Sequence, residues 1–498
     1  MKIVPSQDEF VELGKKFNLI PVYTELSVDL DTPVSIYSKI TGNDPGFMLE
    51  SADTSKAFGR HSFIGAEPFV TVVGRSKLSE VRMGQEEALC IAEPPLIAMQ
   101  QVLGQFSFPD MPGLPPFSGG AVGYFNYETV GTWERIRGMN IPEESILGEF
   151  MFCRVIIVMD HLTHSAKLLY LASVEPGDDM GVKYEKAIGH LKRLIHKLQQ
   201  TTVFPSNINN KQEEQRVIAQ IDEAGIKESY LEMVGKAKEH IAAGDIFQVV
   251  LSKPFKRKLT KTPFALYRRL RQVNPSPYMF YINVGHRQIV GASPEMLVKV
   301  EGGNVFTCPI AGTRPRGKNQ EEDALLGAEL LRDEKERAEH CMLVDLGRND
   351  VGRVSIPGTV KVNRILEVEK FSHVMHLVSE VSGVLDPKFT PMDVLAACFP
   401  AGTLSGAPKV RAMEIINELE QVPRGPYGGA VGYFDFRNNM DTCITIRTMV
   451  IDGDEVGIQT GAGIVADSVP EMEYQEILNK AKVLFKIISE DENYDFND

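Results

Sequence analysis

Cysteine is scarce. The six in 498 residues (Cys90, Cys153, Cys308, Cys341, Cys398 and Cys443) stand far apart in the chain, which excludes the CxxC pairs of zinc and redox sites. Several lie in apolar surroundings, as Cys398 does in VLAACFP, and read as small buried hydrophobes with a reduced thiol. No apolar run approaches the roughly 18 residues that span a bilayer; VIIVM at 155–159 is far too short. Residues 1–17 carry neither an apolar signal core nor an Arg-rich transit pattern, so a cytoplasmic protein is expected. Basic residues are outnumbered, 53 to 67, for a formal charge of −14. That balance argues against a nucleic-acid or anionic-membrane binder, which needs concentrated Lys and Arg. The 43% hydrophobic and 24% charged content is ordinary for a globular chain. The length allows two to four domains.

What is present alternates short β-rich runs with a few long helical patterns. PFVTVVG (68–74), FCRVIIVMD (152–160) and AKLLYLA (166–172) read as strands. Residues 180–200 read as an amphipathic helix. The polar stretch that follows, without periodicity, marks a linker, giving an amino-terminal region 1–200, a linker 201–227 and a second region 228–498. In the second region, Tyr230 to Ile241 repeat at helical spacing, 246–255 has strand character, and 324–346 is the longest helical pattern. Residues 441–451 read as a strand. The tail 471–490 is a helix introduced by Asp467, Ser468 and Pro470. Strands with segregated helices predict an α+β fold. GGAVGYF occurs twice, at 119–125 and 428–434. It is either a shared tight turn that only glycine enters easily or a related strand element in each region, the two facing one another.

Chemistry concentrates in two ExxE pairs, Glu336 with Glu339 and Glu473 with Glu476. An i,i+3 spacing sets both carboxylates of a pair on one helix face, and two such helices together would offer the oxygen ligands that suit Mg²⁺. Taken singly, such pairs are far more often solvated surface charge. The GAG of 461–463 can present backbone N–H groups to an anion, and Gly402, Thr403, Ser405 and Gly406 can form a polar loop over a ligand. In FSHVMHLVSEV a strand pattern puts His373 and His376 on opposite faces, with His376 the better catalytic imidazole. Arg314, Arg316 and Arg447 lie in tight or apolar segments. Each needs either a protein carboxylate or an anionic substrate, Arg447 above all if buried on a β-branched strand.

In chain order, PIAGTRPRG, DEKERAEHCMLVDLGRND, GTLSGAPK, GGAVGYF, TIRT and GAGIVADSVPEMEYQEILNKA resemble the chorismate-utilising enzymes. FMLESAD, GRHSFIG and FSGGAVGYFNYE further upstream resemble the amino-terminal domain of anthranilate synthase component I. The resemblance implies a sandwich of large, roughly orthogonal antiparallel sheets with helices outside. It also implies a Mg²⁺-dependent reaction of chorismate in which a nucleophile adds at ring C2 and the C4 hydroxyl leaves. By the same resemblance, Glu339 and Glu476 are metal ligands supported by Glu336 and Glu473. Gly312, Thr313, Tyr427, Arg447, Gly461, Ala462, Gly463 and Lys480 are substrate-binding positions. Glu295 is the acid for the leaving hydroxyl, His376 serves the lyase half-reaction, and Thr403 completes the site.

Two positions separate relatives. Gln248 stands where water-adding members have a lysine, and Ala311 stands where aminodeoxychorismate synthases commonly have one. Both point to anthranilate, ahead of aminodeoxychorismate synthase component I and of a non-catalytic tryptophan-binding regulator. No cysteine sits on a GxCxGxQ elbow, so ammonia is expected from a separate glutamine amidotransferase subunit. Glu50 and Ser51 in MLES, with Asn274, Pro277, Tyr278 and Met279 in NPSPYM, resemble the two walls of an inhibitory tryptophan pocket.

Overall fold

The computed structural model describes residues 2–51, 57–84, 86–200, 223–370 and 374–489. Among these are 22 strands and 11 α-helices. Every strand pairing between them is antiparallel, and the pairings form one connected network. This is the expected α+β class. No described helix is long and apolar enough to cross a membrane.

The predicted strands match His61–Gly74, Gly148–Asp160, Ser165–Ser173 and Gln248–Lys258, the last beginning two residues after the expected start at 246. The 180–200 pattern is the helix Met180–Gln199, whose Leu191 and Leu194 enter an apolar core shared with Tyr267 and Leu484. The tail helix is Pro470–Ser489. Two long patterns are broken where the sequence reads as continuous. The 324–346 run is two helices, Gln320–Arg332 and Glu334–Gly352. Asp333 leaves the helical conformation (φ −67, ψ 110), and its carboxylate accepts from the N–H groups of Lys335 and Glu336, starting the second helix. The 441–451 run is two strands, Met440–Ile444 and Thr448–Asp452. Arg447 between them has a left-handed backbone (φ 49), so it is not the strand residue its β-branched neighbours suggest. The linker stretch 201–222 and His373 lie outside the described residues, and residues 223–227 already belong to the helix Glu223–Ala242.

The amino- and carboxy-terminal regions are joined by hydrogen-bonded strands. Gly46–Glu50 pairs with Tyr278–Asn283, and Gly120–Phe125 with Ala430–Asp435. In the second pairing the two GGAVGYF copies face each other. Gly123 lies opposite Gly432, flanked by Phe125 with Ala430 and Ala121 with Phe434. Both central glycines are required by close approach. A Cβ would lie 2.0 Å from the Glu149 carbonyl at Gly123 and 2.0 Å from the Asp441 carbonyl at Gly432. Of the six cysteines, all free, Cys153, Cys398 and Cys443 are buried, whereas Cys90 and Cys341 are exposed and Cys308 is half-buried. The small-hydrophobe reading therefore applies to only half of them.

Candidate active site

The site is built around the strand Glu455–Ile464. One edge pairs with Gln248–Lys258, placing Gly461 opposite Ser252 and Gly463 opposite Val250. Its other neighbour, Thr448–Asp452, pairs only as far as Ile458, so among the described residues the GAG edge carries no strand on that side. Lys480, one helix away, donates to the Gly461 carbonyl at 2.9 Å and pairs with Glu476 at 2.7 Å. The buried Tyr427 turns its hydroxyl toward Gly461, 2.7 Å from where a Cβ would stand.

Glu295 follows the strand Arg287–Ser293. Thr403, on the short turn Gly402–Leu404, donates its hydroxyl to Glu295 Oε1 at 2.8 Å. Burial raises the Glu295 pKa, while this hydrogen bond and the charges of Arg447 and Lys480 lower it. Burial wins, and the carboxyl is pushed up to about 7. Ser405 is turned inward, donating to the Ala401 carbonyl at 2.9 Å. The Arg447 side chain is open to the cleft and makes no hydrogen bond or ion pair among the described residues; it senses Glu295 only through space. Burial by the surrounding walls draws its pKa down.

His376 lies on Val374–Val384, opposite Thr313. Its Nδ1 is 2.8 Å from the Gly312 carbonyl and 3.1 Å from the Thr313 hydroxyl. A carbonyl only accepts, so Nδ1 carries the proton and Nε2 keeps its lone pair. Gly312 sits at a bulge with φ 70, which aims that carbonyl at the ring. Burial is the largest influence on the imidazole, and its pKa is lowered. Arg314 and Arg316 are structural. Arg314 ties Glu329, Asp333 and Glu336 together, and Arg316 pairs with Asp323 at 2.6 Å.

Glu339 and Glu476 come from two helices that meet the same cleft. The half-buried Glu339 carboxylate accepts one hydrogen bond among the described residues, from Gln248 Nε2 at 3.4 Å. Its pKa is raised by burial and then by the negative charges of Glu336 and, more weakly, Glu476. That of Glu473 is raised by burial and by Glu476. Among the described residues no three His, Cys, Asp or Glu side chains converge to hold a metal ion by themselves. Mutually repelling carboxylates with unused oxygens nevertheless fit Mg²⁺, which takes one or two protein carboxylates and completes its shell with water and substrate oxygens.

A second cavity lies away from this cleft. Leu49, Glu50, Ser51, Pro277, Tyr278 and Met279 are among the residues that line it, and Asn274 is not. Asn274 ends the helix Pro263–Val273. The Glu50 carboxylate is engaged behind the wall by the Tyr267 hydroxyl and by Arg271 Nε at 3.2 Å. The Ser51 hydroxyl is buried without a hydrogen-bond partner among the described residues. The part of the wall made by Val431, Gly432, Tyr433, Asp441 and Cys443 has no counterpart in the sequence reading. The only signals for it are the second GGAVGYF copy and an acid within a β-rich run. Asp441 accepts from the Tyr278 hydroxyl at 3.1 Å, and burial pushes its pKa up to about 6.

Comparison with known proteins converges on one group. A family model described as chorismate binding enzyme matches residues 47–486. The chain is 44% identical over 494 residues to anthranilate synthase component 1 of Acetivibrio thermocellus, covering 98% of each. Among solved structures it is similar to anthranilate synthase component I from Streptococcus pneumoniae, with a TM-score of 0.71 and 36% identity over 85% of this chain and 92% of that one. It also shares its fold with a menaquinone-specific isochorismate synthase from Escherichia coli, at a TM-score of 0.70 and 18% identity over 97% and 99%.

Proposed function

The chain belongs to the chorismate-binding enzymes and, among them, to the anthranilate synthase component 1 group, and we propose that it converts chorismate and ammonia to anthranilate and pyruvate with Mg²⁺. The observation that carries this reading is the meeting of Glu295, held by Thr403 and still partly protonated at neutral pH, with the guanidinium of Arg447, unengaged among the described residues. Arg447 pairs with a carboxylate of the substrate, and Lys480, Tyr427 and the open GAG edge border the same space. Glu295 gives its proton to the C4 hydroxyl as that group leaves as water. Ammonia forms the new bond at C2, and the proton released from the added amine restores the acid. His376 accepts the C2 proton through Nε2 as the C3–O bond breaks and pyruvate departs. Glu339 and Glu476, supported by Glu336 and Glu473, would hold Mg²⁺, which supplies charge neutralisation for the ring carboxylate. Gln248, an amide, cannot activate water as a lysine base would, and Ala311 offers no amine for a covalent route; both favour direct attack by ammonia.

Ammonia comes from a separate glutamine amidotransferase subunit, because no cysteine here has an amidotransferase context. The second cavity takes tryptophan as a feedback inhibitor. Region 1–200 supplies one wall of it and is the regulatory part, and 228–498 is the catalytic part. Free thiols at all six cysteines favour the cytoplasm. The test is to incubate the purified chain with chorismate, Mg²⁺ and ammonium at mildly alkaline pH. Fluorescent anthranilate with equimolar pyruvate is expected. A 4-amino product without pyruvate would make it an aminodeoxychorismate synthase, and absence of turnover would make it a non-catalytic homologue.

A further inference from the structure

Beneath the cleft lies an ion pair that none of the chemistry above uses. The side chains of Glu420 and Arg424 are 2% and 1% exposed and meet at 2.6 Å. The guanidinium also donates through Nε to Glu420 Oε2 at 2.8 Å, through Nη1 to the Leu404 carbonyl at 2.7 Å and through Nη2 to the Val250 carbonyl at 2.7 Å. Glu420 Oε1 accepts from the Ser252 N–H and hydroxyl at 2.8 and 2.9 Å. Tyr127 and Tyr427 lie against the guanidinium, their ring centres 4.6 and 5.7 Å away. The amino-terminal region closes the assembly. The carboxylate of Glu128 accepts from the N–H groups of Arg424 and Gly425 at 2.6 and 3.1 Å.

A fully desolvated ion pair of this kind returns little net stability. What a planar guanidinium provides is direction, because its fork fixes several acceptors at once. Here both backbone acceptors adjoin the cleft. Leu404 follows Thr403, and Val250 is paired with Gly463; Ser252, which donates to Glu420, is paired with Gly461.

We propose that Arg424, braced by Glu420 and Glu128, is a positioning residue that holds the 402–406 turn so that the Thr403 hydroxyl meets Glu295, without touching the substrate itself. The proposal rests on the reading of Glu295 as the proton donor.

Arg424→Lys tests it, since lysine keeps the charge beside Glu420 but loses the fork to Leu404 and Val250. Assayed at fixed free ammonia, kcat should fall about 10- to 100-fold with little change in KM for chorismate, and Tm should fall as well because two buried carbonyls lose their donor. The basic limb of the kcat–pH profile should move to higher pH, because the Thr403 hydrogen bond holds the acid down. In a Thr403→Val background the Arg424→Lys loss should largely vanish, as expected when one residue acts through the other. A wild-type kcat with an unmoved limb, or two losses that simply multiply, would overturn the proposal. Should Arg424→Lys fail to fold, Glu128→Gln, which weakens the grip on two backbone N–H groups, carries the same measurements and the same two outcomes. An inactive wild-type protein would instead sink the functional reading, and this one with it.

Discussion

The Thr403 hydroxyl donates to Oε1 of Glu295 across 2.8 Å, and it is one of three influences that together fail to offset burial of that carboxyl. The acid form of Glu295 is therefore present below about pH 7 and is lost as pH rises through it. At fixed free ammonia, kcat/KM for chorismate should fall above that pH. Thr403→Val removes an influence that lowers the pKa, so its limb should lie higher. Glu295→Gln should cost about 10²- to 10⁴-fold, the range for a lost general acid.

Glu339 bears a charge that its neighbours oppose. Without metal, Glu339→Gln should be at least as stable as the wild type by thermal melting. With Mg²⁺ at about 100 times its dissociation constant, the wild type should gain about 2.7 kcal/mol, reversed by chelation, and the variant should gain little. Glu339→Ala and Glu476→Ala should each lose Mg²⁺-dependent turnover while keeping the folded circular-dichroism spectrum.

Arg447 has an open guanidinium with no carboxylate of the described residues bound to it. Arg447→Ala should raise KM for chorismate by roughly 10- to 100-fold, matching about 1.5–3 kcal/mol for a hydrogen bond to a charged group. Arg447→Lys should recover only part of this, since a point charge does not reproduce a bidentate fork.

Under the proposed reading, Asp441 should set the pH response of the second cavity. Its pKa of about 6 means that the charged form, which would attract the ammonium of a bound tryptophan, predominates above pH 6 and is lost below it. Calorimetric titration should show tryptophan binding more tightly at pH 7.5 than at pH 5.5. In Asp441→Asn that pH dependence should disappear. Equal affinity at both pH values in the wild type would remove Asp441 from the recognition of the amine.

Local pattern carried much of the fold. Helix Met180–Gln199 and strands such as Gly148–Asp160 follow from periodicity, because one buried face fixes their register. Two of the misreadings were breaks within runs that read as continuous. At Asp333 a side-chain cap competes with helix continuation, and at Arg447 a single left-handed residue turns the strand. Neither leaves a mark in hydrophobic period. The cleft residues were legible as motifs, but their meeting was not. Thr403 reaches Glu295 across 108 positions and Gln248 reaches Glu339 across 91, distances that only strand pairing sets. The Glu420–Arg424 pair was invisible for another reason. At i,i+4 on and just beyond a helix it looks like ordinary surface charge, and only burial distinguishes it.

The facing of Gly123 and Gly432 has a consequence for how the chain can be divided. Were the polypeptide cut within 201–222 and its pieces produced separately, each would present an unzipped border where its twin belongs, a ready template for aggregation. Each fragment alone should be insoluble, and co-production should restore a nicked but active enzyme, because the two copies of one heptapeptide serve as each other's mate.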